Sequence, residues 1–285
     1  KIGVVDDGVD QTNPFFRPAG YSYPAGFPRG DASFTTPKVI VAKSFPGPGS
    51  GKAGQMPLDR NESFHGTHVA GIAAGDEDTT APPGRDHPSV TGLSGVAPHA
   101  YIGNYRVFTV PTPVGNVANT PEIVAAFEAA VADGMNVINF SGGGPETDPV
   151  NDAMIETVRN TAAAGVVPVI AAGNDRDDFG LGSTGSPGTA PAGISVAAVT
   201  NTHVFAPVLS VTAPGAPDTL RQIAIETSGT TPAAWAVADN PLVDVSSIVV
   251  NGARADPYLC GPPQNPNAPV DKMIIGLLVP SALVG

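Results

Sequence analysis

The sequence predicts an α/β fold, with a mainly parallel sheet flanked by helices, followed by a smaller β-rich region. Apolar runs and helical patterns alternate through the first two hundred residues, as they do where crossover helices join parallel strands. After about His203 the helical periodicity disappears, and short β-branched runs are separated by turns rich in Pro, Gly and Asn. A chain of 285 residues can hold one large core and a second module. We therefore predict one domain over residues 1–203 and a β-rich region over residues 204–285.

The predicted strands of the first domain are short apolar runs that suit a sheet buried on both faces. In chain order they are Ile2 to Val5, Lys38 to Ala42, Tyr101 to Phe108, Val137 to Phe140, Val166 to Ala171 and Ile194 to Val199. In the second region the best strand candidates are Ser246 to Val250 and Met273 to Val279.

Three helical segments lie between these strands. The stretch that begins at His65 is rich in Gly and Ala, which would permit close packing. A second helix opens at Pro121, where proline is tolerated, and stops at Gly134. A third is predicted to be capped by Asp148, to start with Pro149 and to end at Gly165.

Composition narrows the classes of partner. The chain has 26 acidic and 14 basic residues, and a net charge of −12 repels phosphate backbones and anionic lipid. The longest apolar runs are strand-sized, far below the roughly 18 residues that span a bilayer. We therefore predict no nucleic-acid partner and no membrane insertion.

The single cysteine, Cys260, cannot form an intrachain disulfide, so the cysteine content does not indicate the cellular compartment. The acidic, Lys-poor composition suits a secreted protein.

Polar side chains follow several predicted strands at the point where each strand ends. Asp6 and Asp7 close the first strand, Ser141 follows the Val137 strand, and Asn174 follows the strand that runs into Gly173. Functional groups gather at the carboxyl ends of parallel strands, so these residues are expected at one edge of the sheet. A buried Asp that accepts a hydrogen bond from a His makes the other ring nitrogen a general base, and a side-chain amide can donate to an oxyanion.

Four motifs stand in chain order over roughly residues 1 to 200. They are Val4-Val5-Asp6-Asp7-Gly8-Val9-Asp10, His65-Gly66-Thr67-His68-Val69-Ala70-Gly71, Val137-Ile138-Asn139-Phe140-Ser141-Gly142-Gly143 and Ala171-Ala172-Gly173-Asn174. Together with the Gly95-Val96-Ala97-Pro98 stretch, this ordered set resembles the subtilisin-like family of serine peptidases.

The resemblance implies a subtilisin-like three-layer fold and a peptidase that acts on proteins or peptides. It implies Asp6 as the orienting acid, His65 as the general base and Asn174 as the oxyanion donor. It also implies that the backbone of Ser141-Gly142-Gly143 pairs with the substrate, because an extended peptide can add as a strand to exposed backbone. The chemistry requires no cofactor and no catalytic metal; structural calcium is compatible with the family.

The nucleophile motif of that family, Gly-Thr-Ser-Met/Leu-Ala, does not occur in this sequence. The nearest string, Thr227-Ser228-Gly229-Thr230, has the letters in a different order and lacks a following small-residue helix. Many larger secreted members of the family carry a protease-associated domain between the oxyanion motif and the nucleophile, and Asp271 to Val279 loosely resembles a strand of such an insert. We therefore predict that residues 204–285 begin this insert, that the serine lies after Gly285 and that this chain alone is inactive.

Several alternatives remain open from the residues. A catalytically inactive peptide-binding protein would keep the substrate strand without the nucleophile, and a metal-dependent hydrolase would use His65 and His68 as ligands. Asp7 and Asp10 compete with Asp6 as the orienting acid, although solvent exposure is the simpler expectation for both. His68 is expected to pack beneath His65.

Overall fold

The computed structural model divides the chain into two compact units, Lys1–Pro207 and Val208–Gly285. It describes residues 1–84, 88–113, 115–145, 148–176 and 180–199 of the first unit. In the remainder it describes residues 208–210, 214–215, 217–218, 221–224, 242–244, 249–250, 253–254 and 275–277. The predicted domain boundary after residue 203 and the residues Ser228 and Cys260 therefore lie outside the described residues.

The first unit contains eleven described strands, a 3₁₀ turn at Ala32–Phe34 and four described α-helices. The strands are β1 Ile2–Asp6, β2 Arg29–Gly30, β3 Val39–Ser44, β4 Thr79–Ala81, β5 Val90–Leu93, β6 Ile102–Arg106, β7 Val110–Thr112, β8 Gly115–Val117, β9 Val137–Phe140, β10 Val167–Ala171 and β11 Ile194–Val196. The helices are α1 Gly51–Gly54, α2 His65–Ala74, α3 Thr120–Ala132 and α4 Ala153–Ala163.

A seven-stranded sheet in the order β11-β10-β9-β1-β6-β3-β2 organises this unit. Every neighbouring pair in it runs parallel, which confirms the predicted sheet type. The short pairs β4–β5 and β7–β8 are antiparallel hairpins outside the sheet. Strand β1 lies at the centre between β9 and β6, so its carboxyl end reaches the middle of the sheet edge.

The two faces of β1 pack against different helices, because successive side chains of a strand point to opposite faces. Val4 belongs to a buried cluster with Ala70 and Ala74 of α2. Val5 belongs to a second cluster, with residues of α3 and α4 such as Phe127 and Val158. The sheet is thus the middle of three layers, as predicted. Two residues after Val4, Asp6 falls on the face that α2 covers.

Helix α3 ends where the sequence predicts. Gly134 has φ +74°, a left-handed conformation that glycine adopts without steric cost. Its N–H donates to the carbonyl oxygen of Val131 (2.9 Å), and the N–H of Met135 donates to that of Ala130 (3.1 Å). The chain can then enter β9 at once, with Met135 buried beneath the helix.

The predicted start of α4 was wrong. Asp148 does not cap the helix; its carboxylate accepts from the N–H of Val150 (3.2 Å) in a separate turn. Asp152 is the N-cap, accepting from the N–H of Met154 (2.8 Å), and the helix begins at Ala153. Both aspartates suit a cap, and the second one places Met154 in the core, so tertiary packing decides between them.

A buried cation holds the carboxyl end of α2. The side chain of Lys38 has no solvent exposure, and its Nζ lies 3.3 Å from a carboxylate oxygen of Asp76, two residues after the end of α2. The same Nζ donates to the hydroxyl of Tyr21 (2.7 Å) and to the carbonyl oxygen of Pro98. Desolvation lowers the pKa of Lys38, and Asp76 opposes that effect. These contacts anchor α2 at the end away from His65.

The second unit shows three antiparallel pairs in its described residues. They are β12 Val208–Ser210 with β13 Gln222–Ala224, β14 Leu242–Asp244 with β17 Ile275–Leu277, and β15 Val249–Val250 with β16 Ala253–Arg254. Strands β15 and β17 lie within the two apolar runs that the sequence indicated. Within the part of the chain that the structure describes, no helix is long and apolar enough to cross a bilayer.

Candidate active site

Asp6 and His65 form a paired site at the centre of the sheet edge. The Nδ1 atom of His65 lies 2.8 Å from one carboxylate oxygen of Asp6 and 3.0 Å from the other. Asp6 is almost fully buried, with 1% of its side chain exposed, whereas 55% of the His65 side chain is exposed. A carboxylate accepts, so the Nδ1 atom carries the proton. The pair therefore leaves Nε2 as the basic nitrogen on an accessible ring.

The charge of Asp6 favours the protonated form of the imidazole. The hydrogen bond to Asp6 is the main cause that raises the pKa of His65 above its ordinary value. Partial burial acts in the opposite direction, and the charges of Asp6 and Asp7 add to the increase. A ring of this kind can accept a proton from a weak acid and stays hydrogen-bonded while it holds that proton.

This pKa shift predicts a pH-dependent stability difference between the wild type and an Asp6→Asn variant. A raised histidine pKa stabilises the fold fully below the unfolded value of 6.5 and loses that contribution as pH rises through the folded value. We expect the free energy of unfolding of the wild type, relative to the variant, to fall as pH rises above about 6.5. Urea unfolding in a pH series measures this, and a difference that is constant or grows with pH would contradict it.

Asp7 lies beside the pair but has a different set of partners. One of its carboxylate oxygens accepts from the backbone N–H of His65 (3.0 Å), and the other accepts from that of Gly66 (2.7 Å). Its own carbonyl oxygen accepts from the hydroxyl of Ser63 (2.5 Å). The sequence alone predicts Asp7 to be a rival acid or a solvated residue, whereas the structure shows a carboxylate that binds two backbone donors. The available signal was an acidic residue at a strand end, one position before Gly8, in the same motif as Asp6.

Gly66 lets α2 approach β1 closely enough for the pair to form. A Cβ atom at this position would lie 2.5 Å from the carbonyl oxygen of Gly8 and 2.9 Å from the Cβ atom of Asp6. Thr67 adds a second link, since its hydroxyl oxygen accepts from the N–H of Asp10 (2.9 Å) and its hydroxyl donates to the carbonyl oxygen of Ser63 (3.1 Å). Gly66 and Thr67, which lie between the two histidines, thus hold the start of α2 against the segment that follows β1.

A cavity of about 320 Å³ lies over this site. It is lined by Asp6, Asp7, Glu62, His65, Phe108, Gly115, Asn116 and Ser141. The lining combines the imidazole with residues from the β9 end and from the β7–β8 hairpin, and it includes Ser141 of the predicted substrate segment. The volume lies at the small end of the range for ligand pockets, which suits one side chain or a short stretch of peptide.

The predicted substrate segment extends β9 beyond the sheet. Ser141 is half-buried, and its hydroxyl donates to the side-chain oxygen of Asn139 (3.0 Å). Gly142 is half-buried and Gly143 is exposed. At Gly144 the segment is already paired, because its N–H and carbonyl group form two backbone hydrogen bonds with Ser186 (2.9 and 3.0 Å).

Asn174 lies just beyond the carboxyl end of β10, at the same edge of the sheet, and is exposed. One strand, β9, separates β10 from β1. Two inter-strand spacings of about 4.8 Å therefore place the ends of β1 and β10 about 10 Å apart. Asn174 is not among the residues that line the cavity over His65. The structure brings Asp6 and His65 into contact and leaves Asn174 at the far side of β9.

His68 does not pack beneath His65, so that expectation was wrong. It is exposed on α2 and, with Phe64 and Ile72, lines a separate groove. The face of α2 that meets the sheet is occupied instead by small residues, Gly66 and Ala70 among them. Among the residues that the structure describes, no cluster of three or more His, Cys, Asp or Glu side chains could hold a metal ion.

Comparison with known proteins identifies the family. The model of the subtilase family, Peptidase S8, matches residues 1–259. The chain belongs to the subtilase family. The matched range of this subtilase includes Asp6, His65 and Asn174.

The curated relatives of this subtilase include plant and bacterial enzymes. The subtilisin-like protease SBT4.14 of Arabidopsis thaliana is 29% identical over 190 residues, which are 63% of this chain and 24% of that protein. Subtilisin DY of Bacillus licheniformis is 29% identical over 221 residues, 75% of this chain and 64% of that protein. Subtilisin E of Bacillus subtilis is 28% identical over 203 residues, 71% of this chain and 42% of that protein. The chain thus spans from about a quarter to just under two thirds of these relatives.

Among solved structures, the prenylagaramide maturation protease PagA matches with a TM-score of 0.43 and 22% identity. The match covers 68% of this chain and 52% of that one.

Proposed function

We propose that this chain supplies the acid and base of a secreted serine endopeptidase that hydrolyses peptide bonds in proteins. The observation that carries the proposal is the buried Asp6 carboxylate on Nδ1 of the exposed His65 ring, at 2.8 Å. Such a pair is suited to taking a proton from a hydroxyl nucleophile. Membership of the subtilase family supports the choice of a serine as that nucleophile.

In the proposed reaction, His65 Nε2 takes the proton of a serine hydroxyl as its oxygen attacks the peptide carbonyl carbon. The resulting imidazolium is stabilised by Asp6 and then gives the proton to the leaving amine. Asn174 donates from its side-chain amide to the oxyanion, an interaction worth about 3 kcal/mol in transition-state stabilisation. The backbone of Ser141-Gly142-Gly143 pairs with the extended substrate.

We propose that the serine lies in the continuation of the protein after residue 285 and that residues 204–285 begin a protease-associated insert.

The test uses the protein expressed from its complete coding sequence. A fluorophosphonate probe should label one serine, and His65→Ala should slow that labelling by orders of magnitude without unfolding the protein. Labelling that is insensitive to a chelator agrees with acyl transfer; activity that a chelator abolishes, in a protein the probe does not label, would point to a metal-dependent hydrolase and overturn the proposal. Mass spectrometry of the labelled peptide should locate the serine after a Gly-Thr pair, followed by a helix of small residues.

One observation favours a second candidate, a peptide-binding protein without catalysis. The 285 residues contain no Gly-Thr-Ser-Met/Leu-Ala motif, although they contain the predicted substrate segment. This candidate predicts that the complete, folded protein binds extended peptides, leaves them uncut and resists the fluorophosphonate. Peptide digestion followed by mass spectrometry, run beside the labelling, separates the two candidates.

A further inference from the structure

The carboxylate of Asp7 accepts hydrogen bonds from the first two backbone N–H groups of α2. The first N–H groups of a helix have no acceptor within the helix, and a side chain from elsewhere can satisfy them. Phe64, the residue before α2, provides no side-chain cap. Asp7 fills this role from the end of β1, with one oxygen on the N–H of His65 (3.0 Å) and the other on the N–H of Gly66 (2.7 Å).

The position of the imidazole depends on this first turn. His65 is the first residue of α2, so its N–H is held by Asp7 while its ring is held by the neighbouring residue, Asp6. Asp6, the last residue of β1, and Asp7, which follows it, thus hold the side chain and the backbone of one histidine. A helix whose first turn lacks a cap frays, and fraying here moves the ring.

The surroundings show why a carboxylate at this position is costly. Burial raises the pKa of Asp7 to about 6, and the charge of Asp6 adds to the increase, whereas the two backbone donors and the charge of His65 lower it. Two further charged groups face it among the described residues: Arg106 of β6, whose charge interacts with that of Asp7, and Glu62, which lines the same cavity. The positive end of the helix dipole favours an anion at this point.

We propose that Asp7 is a positioning residue of the active site, which fixes the start of α2 and thereby orients His65 against Asp6. This proposal rests on the proposed peptidase function for its kinetic consequences. Asp7 has this positioning role when its side chain is ionised. Only the carboxylate offers a charged oxygen acceptor to each of the two N–H groups. Asparagine offers one oxygen and turns a donor toward the second N–H, and alanine offers nothing.

The kinetic test compares Asp7→Asn and Asp7→Ala with the wild type in the complete protein. We expect kcat to fall about tenfold in the asparagine variant and up to about 100-fold in the alanine variant, because a misoriented His65 ring slows the chemical step. KM should change less than about twofold, because neither substitution removes a group that binds the substrate. Below about pH 6 the wild type should approach the asparagine variant, because its Asp7 is then neutral as well. Equal kcat in all three proteins, or a difference that is the same at every pH, would overturn the proposal.

A structural readout tests the same idea without any catalysis. Nuclear magnetic resonance of the complete protein should show the Nδ1 proton signal of His65, which reports the contact with Asp6, shifted or weakened in Asp7→Asn. The matched control is Asp152→Asn, which removes the charge at the N-cap of α4 but keeps an oxygen acceptor for the N–H of Met154 (2.8 Å), and it should leave the His65 signals unchanged. Unchanged His65 signals in folded Asp7→Asn, or an equal shift in the control, would overturn the positioning role. If the complete protein cleaves no peptide, this readout still decides the role of Asp7, so the two failures remain distinct.

Discussion

Replacing Gly66 by alanine is expected to separate His65 from Asp6 and to lower kcat/KM of the complete protein at least about 100-fold. The new Cβ atom would lie 2.5 Å from the carbonyl oxygen of Gly8, so the start of α2 must move by about 1 Å from the end of β1. That movement is directed away from Asp6, whose Cβ atom is 2.9 Å from the same point. We also expect a loss of about 2 to 3 kcal/mol in the free energy of unfolding, as for other overpacked sites. Steady-state kinetics and urea unfolding measure the two effects.

The same substitution at Gly71 is the matched control. Gly71 lies in the same helix, and an added Cβ atom there would meet the ring edge of Phe15 at 3.0 and 3.3 Å, which a side chain can relieve. Alanine favours a helix over glycine by about 1 kcal/mol at either position. We expect kcat/KM within about threefold of the wild type for Gly71→Ala. Similar kinetics for the two variants would show that the close approach at Gly66 does not set the active-site geometry.

Asp6→Asn is expected to lower kcat by about 10⁴-fold with little effect on the fold. An asparagine side chain can donate to Nδ1 and so favours the tautomer in which Nε2 carries the proton, which leaves the ring unable to act as the base. Loss of the negative charge also removes the stabilisation of the imidazolium. The activity should recover partly at high pH, where hydroxide can replace the general base.

Asp10→Asn is the control for charge in this segment. Asp10 accepts from Thr12 and lies 3.6 Å from Arg60, and its carboxylate makes no contact with the imidazole among the described residues. We expect its kcat to stay within about twofold of the wild type. A loss at position 10 that equals the loss at position 6 would mean that net charge, and not the pair with His65, governs the rate.

Much of the fold of the first unit can be predicted from the pattern of apolar and small residues in the sequence. Strand β1 is an apolar run that ends in aspartate, and the alternation of side chains sends Val4 and Asp6 to one face and Val5 to the other. The small residues of α2 predict its close packing, and Gly134 predicts the end of α3. These features are local in sequence, so a single chain carries them without an alignment.

The features that sequence reasoning missed depend on contacts between distant residues. Nothing in the chain near Asp7 shows that its partners are N–H groups almost sixty residues away. The choice between Asp148 and Asp152 as a cap depends on where Met154 meets the core, and the exposure of His68 depends on how closely α2 lies to the sheet. In each of these cases the local sequence allowed two interpretations, and tertiary packing decided between them.

The central claim is that Asp6 holds the Nδ1 proton of His65, and proton nuclear magnetic resonance of the complete protein tests it most directly. The 2.8 Å contact predicts a strongly deshielded proton bonded to Nδ1 of His65, present at a pH below the pKa of the ring and lost in folded Asp6→Asn. A folded wild type without this signal, or a signal that survives unchanged in Asp6→Asn, would contradict the claim.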